Sequence, residues 1–117
     1  MSTIKVTNIQ ATGETPTRAV SGVAAAWFNY NHQTGPSIQD SVNISSISDD
    51  GSGIFTNTFV NSMSNSFWAA GVICRNNRHQ FNTNTGAATG RQWRAADSGN
   101  SASDSLDFTA SIHGDLA

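Results

Sequence analysis

The side chains of this 117-residue chain that can carry chemistry are three histidines, one cysteine, five arginines and a set of aspartates. His32, His79 and His113 stand far apart, and none has a partner at a metal-ligand spacing such as i, i+4. They read as surface histidines, and no metal or other cofactor is expected. Cys74 follows Gly71, Val72 and Ile73, so it reads as a small buried hydrophobe. A single cysteine allows no disulfide within the chain. Asp40, Asp49, Asp50, Asp97, Asp104, Asp107 and Asp115 supply carboxylates of the kind that glycoside hydrolysis uses in pairs. Asp49 and Asp50, however, have a sufficient role as turn residues. There is no phosphate-binding glycine loop and no nucleophile elbow. The chain is expected not to be an enzyme.

The arginines are more informative. Arg75, Arg78, Arg91 and Arg94 are four of six basic residues, and no acid lies between Asp50 and Asp97. Trp93 stands between Arg91 and Arg94. One reading is a basic, partly aromatic face for anionic receptor glycans. A second is a contact with a neighbouring protein, for which Arg and Trp are favoured anchors. A third is pairing with Asp97, Asp104 and Asp107, within the chain or between subunits. Nucleic acid is not an expected partner, because the net charge is −2 and four arginines make a small footprint.

The elements that position these groups follow from composition. Charged residues make up only 12%, against about 25% in ordinary domains. Ser (16), Thr (12) and Asn (12) take their place. Three Trp, six Phe and one Tyr argue against disorder. This profile indicates an all-β chain. No apolar run approaches the ~20 residues of a membrane span, so no membrane insertion is expected. The N-terminus lacks the apolar segment of a signal peptide.

Residues 3–7 alternate and read as a short strand, followed by a loop containing Gly13 and Pro16. A strand is expected at 24–31, then a turn at Gly35 and Pro36. Residues 41–48 read as one hairpin strand, with Val42 and Ile44 facing the same way. A bulge at Ser45 and Ser46 would return Ile47 to that face. Asp49, Asp50, Gly51, Ser52 and Gly53 form the turn. On the return strand, 54–60, Phe55, Asn57 and Phe59 share one face. Residues 67–74 are apolar enough for a strand buried on both sides. Short strands are expected at 79–81 and 90–95. In the final strand, 105–113, Leu106, Phe108, Ala110 and Ile112 face the core. The sum is a compact antiparallel β-sandwich of about six to eight short strands. It forms a single domain spanning 1–117, with an N-terminal strand and loop (1–22), a central part (23–74) and a loop-rich part with the final strand (75–117).

The central part resembles a small β module of bacteriophage tail fibre and virion surface proteins, of the marine phage type. The matching residues are Ala26, Trp27, Tyr30 and Asn31, then Ser41, Asn43, Ser45, Ser46 and Ile47, then Asp49, Gly51 and Gly53. Met63, Phe67 and Val72 complete the pattern. Residues 4–10 resemble the opening of such proteins. Coverage is 4–10 and 26–73, about half the chain. The resemblance implies an all-β subunit of a homotrimer, located in the virion after synthesis in the host cytoplasm. Fibres of this kind usually carry a long shaft, and this chain is little more than the module. The expected function is a small tail fibre or tail-tip subunit involved in host surface attachment. The alternatives are a capsid decoration (cement) protein that stabilises the head and, below it, a free carbohydrate-binding module. Expected partners are further copies of the chain, a tail or major capsid protein, and a host surface glycan. Phe67 and Trp68 are expected at a subunit interface, because a sandwich this small leaves apolar surface over.

Overall fold

The computed structural model describes residues 2–6, 8–9, 12, 18–19, 23–33, 35–75, 79–82 and 86–117. Arg78 lies outside the described residues, as do Gly13 and Pro16. Among the described residues there is no helix. The strands are β1 (Asn8–Ile9), β2 (Arg18–Ala19), β3 (Ala26–Asn31), β4 (Ser37–Val42), β5 (Ile44–Gly51), β6 (Ile54–Phe59), β7 (Ala69–Cys74), β8 (His79–Asn82), β9 (Gly90–Ala96) and β10 (Phe108–His113). They form two four-stranded antiparallel sheets, β4-β3-β10-β7 and β5-β6-β9-β8, and a separate β1-β2 pair.

The two large sheets share one core, and the period-two alternation of their strands dictates it. Ala26, Phe28 and Tyr30 of β3 and Phe108, Ala110 and Ile112 of β10 point inward from one sheet. Phe55 and Phe59 of β6 and Trp93 and Ala95 of β9 meet them from the other. Phe28 stacks on Phe108, with centroids 6.1 Å apart and planes 10° apart. Phe55 stands edge-on to both, 6.2 Å from Phe28 and 4.8 Å from Phe108. Such aromatic pairs add roughly 0.5–1.5 kcal/mol each beyond their buried area.

The hairpin β5-β6 carries the expected bulge: Ile44 pairs with Phe59 and Ser46 with Thr58, which leaves Ser45 without an opposite residue. Gly53, at φ 66°, is fixed in place from two sides. A Cβ there would collide with the backbone of Ser103 and Ala95, so the turn needs glycine for space as well as for its dihedral.

Four expectations are corrected. Residues 41–48 are not one strand. Asn43 takes a left-handed conformation (φ 59°) and separates β4 in one sheet from β5 in the other. Its amide nitrogen donates to Ala25 O and Asn61 O, and its Oδ1 accepts from Asn61 N at 2.8 Å. Residues 3–6 form no strand, and Ile4 is 87% exposed. The apolar run at 67–74 is not buried on both faces. It is an edge strand whose Ala69, Gly71 and Ile73 lie open while Ala70, Val72 and Cys74 pack on the core. At the last strand, the Ser105 hydroxyl donates to the Arg75 and Asp107 carbonyls, and β10 begins only at Phe108.

Candidate interaction surface

The fold does not gather the arginines onto one face. Along β9, Arg91 shares the inward side with Trp93, whereas Arg94 shares the outer side with Gln92. The Arg91 guanidinium lies over the Trp68 ring, 4.0 Å from its centroid, and 5.6 Å from that of Trp93. Burial lowers its pKa from the ordinary arginine value. Arg94 donates to the carbonyl and side-chain oxygens of Asn100 at 2.7 and 3.4 Å. Arg75, beyond the end of β7 in the other sheet, meets Asp107 at 3.3 Å on the surface. Trp93 itself is buried, and its indole N–H donates to Asn57 Oδ1 at 2.7 Å. Arg91 and Arg94 lie close together in a stretch of sequence without acids. Strand parity then placed Arg91 and Arg94 on opposite sides.

Phe67 and Trp68 also part company. Phe67 is 91% exposed, while Trp68 is turned inward against Phe59 and donates to Ala87 O. Ile73 is 73% exposed on the same open side of β7. Beside Phe67 lies an open recess of about 270 Å³, lined by Asn65, Trp68, His113 and Asp115 among others. Phe67 and Ile73 thus leave large apolar side chains open along one sheet edge.

The outer face of the same sheet carries an aromatic side chain. Ala26, Phe28 and Tyr30 face inward, so Trp27 faces outward and is partly exposed. Its register neighbours are Val42 on β4 and Ser111 on β10, and Ser111 is followed across the sheet by Gly71. The next row runs Asp40, Asn29, Thr109 and Ile73. An aromatic ring set among amides and hydroxyls on an outer sheet face suits contact with sugars or with polar protein surfaces. The alternation of Ala, Phe and Tyr around it was the signal that could have found it.

His32 is not at the surface but closes one end of the sandwich. It is 3% exposed, with Nε2 3.0 Å from Asp49 Oδ1 and Nδ1 3.5 Å from Asp104 Oδ1. A carboxylate can only accept, so Nε2 carries the proton toward Asp49. Asp104 Oδ1 in turn accepts from Gly53 N at 2.6 Å, and His32 N donates to Ser105 O. Three chain segments are thus tied together. The His32 bond, then the Gly51 amide, hold the Asp49 carboxyl below its ordinary pKa. At Asp50 burial opposes ionisation, but bonds from Thr56, Gln92 and Ser48 outweigh it and the pKa is lowered. Burial, followed by Asp49, Asp104 and Asp50, pushes the Tyr30 phenol upward. This polar cluster ties the fold together. Cys74 packs partly on the core, and His113 Nε2 lies 3.2 Å from Ser111 Oγ.

Among the described residues, no group of three His, Cys, Asp or Glu side chains is placed to hold a metal ion. No helix among them is long and apolar enough to cross a membrane. Comparison with protein-family models, curated proteins and solved structures returns no match to this chain.

Proposed function

We propose that the chain is a non-enzymatic structural protein of a bacteriophage virion, a small tail fibre or tail-tip subunit that takes part in host surface attachment. The observation that carries this reading is the exposed apolar edge. A sandwich whose core is already filled by stacked aromatic rings still holds Phe67 and Ile73 in water, at 91% and 73% exposure. Large apolar side chains left open along an unpaired sheet edge suit a protein contact. The reading is supported further by the residues of the resemblance, which occupy structural positions. Asn43 is the pivot between sheets, Ser45 is the bulge, and Asp49, Gly51 and Gly53 make the turn. In this role the chain assembles with copies of itself and with virion neighbours. The resemblance implies three copies.

Within this reading, the host-facing surface is the outer face around Trp27, and a neutral or anionic glycan is its ligand class. Arg75 lies at the surface beside this sheet and contributes charge, Arg94 faces outward from the other sheet, and Arg91 and Trp93 serve the core. Cryo-electron microscopy of the virion carrying this chain tests the proposal. A few copies at the tail are expected. Hundreds of copies on the shell would overturn it in favour of head decoration, and absence from the particle would overturn both.

A further inference from the structure

We infer that β7 is the edge through which two copies of this chain join, strand to antiparallel strand, about a twofold axis at Gly71. The sheet edges make the first part of the case. A long, uncharged, regular edge strand is an open template for another strand, and proteins protect such edges with charges, prolines, bulges or short length. Three of the four edges of the two large sheets carry such protection. Edge β4 bears Asp40, follows Pro36 and has a register shift against β3. Edge β5 is shifted twice and carries Asp49 and Asp50. Edge β8 is only four residues long. Edge β7 has none of these devices. Its six residues, Ala69, Ala70, Gly71, Val72, Ile73 and Cys74, pair with β10 in unbroken register. No described strand pairs with its far side.

The second part concerns which strand would cover it. In an antiparallel pair, residues directly opposite share a face. A twofold centred on Gly71 sets Gly71 against its own copy and Ala69 against Ile73. The small residues of one copy therefore lie beside the large residue of the other. The surface at Gly71 is open, since a Cβ there would meet nothing within 4 Å. Continued by two residues, the same register brings Arg75 of one copy to Phe67 of the other. Phe67 borders the recess that Asp115 and Asn65 line. The Arg75 guanidinium, whose exposed contact with Asp107 holds it only weakly, gains an aromatic face and a second carboxylate there. Charge and shape are thus complementary between two identical edges, as a closed twofold contact requires. The outcome is one eight-stranded sheet across the dimer, in place of the threefold arrangement that the resemblance implies. This pairing specifies the self-association of the proposed assembly role. It can be tested without a virion, so the two can fail separately.

Sedimentation of the purified full chain at micromolar concentration supplies the test. The wild type is expected at twice the 12.3 kDa chain mass. Gly71→Lys and Gly71→Glu place like charges directly opposite one another, and each is expected to sediment as a monomer with unchanged circular dichroism. An equimolar mixture of the two sets Lys against Glu and is expected to return to the dimer. A monomeric or trimeric wild type would overturn the inference, as would a dimeric Gly71→Lys chain or a mixture that stays monomeric. If the Gly71 variants lose their fold, Phe67→Ser at the exposed flank replaces them. Weakened dimerisation is then expected, and an unchanged dimer overturns the pairing.

Discussion

Trp93 and Asn57 form a buried polar pair across two adjacent strands, indole N–H to Oδ1 at 2.7 Å, amid the aromatic rings of the core. Each partner satisfies a group that would otherwise be stranded. Trp93→Phe should cost about 1–3 kcal/mol by leaving Oδ1 unpaired, and Asn57→Leu should cost a similar amount by orphaning the indole. The double variant removes both polar groups at once. Its loss in urea unfolding is expected to fall short of the sum of the singles by about 1 kcal/mol or more.

Asn43 should be the most sensitive polar residue near the surface. It combines a left-handed backbone with side-chain bonds to Ala25 and Asn61. Asn43→Ala loses both advantages and should cost about 2–3 kcal/mol. Asn43→Gly keeps the dihedral and loses only the bonds, so it should lie between the wild type and Ala. Equal losses for Ala and Gly would mean that the dihedral contributes nothing.

Acid should loosen the end of the sandwich where His32 sits. Asp49 and Asp50 both ionise more readily in the folded chain than free carboxyls do. A depressed carboxyl favours folding above its unfolded pKa, and that contribution disappears as the pH falls through the folded value. The melting temperature is therefore expected to drop below about pH 4. In Asp49→Asn the drop should be shallower. A variant that follows the wild-type curve would show that the His32 contact does not couple to folding.

The three tryptophans should report separately to a collisional quencher. Trp68 and Trp93 are 5% and 2% exposed, whereas Trp27 is partly open on the outer face. Acrylamide should quench one fluorescence component readily, and Trp27→Phe should remove that component. Loss of the quenchable signal in Trp93→Phe instead would contradict the assigned parity of β9.

Much of this arrangement was written in local pattern. The alternation of Phe55, Asn57 and Phe59, the slip at Ser45 and the glycine-bearing turn each follow from a few neighbouring residues, and each was legible. The split at Asn43 was not, because asparagine tolerates both strand and left-handed backbone, and the bonds that decide between them come from Ala25 and Asn61. Nor was the exposure of Phe67 and Ile73 legible. Apolar runs look alike whether a strand sits in the middle of a sheet or at its edge, and topology decides which. The arginines dispersed for a related reason: closeness along the chain says nothing of which side of β9 each faces. The buried seat of His32 depends on Asp49 and Asp104, 17 and 72 positions away, beyond the reach of any local rule.

The position of β10 carries a consequence for how the molecule is made. It is the last of the described strands in sequence, yet it lies between β3 and β7 in the sheet. Until it has left the ribosome, β3 lacks one neighbour and β7 has none in that sheet. The hairpins β3-β4 and β5-β6 can form early from local contacts, but the sheet closes only when β10 inserts between β3 and β7. During that interval the nascent chain presents an open slot between two apolar strands. Synthesis rate and crowding by sister chains on the same message would then govern how much of the protein reaches its proper partnering.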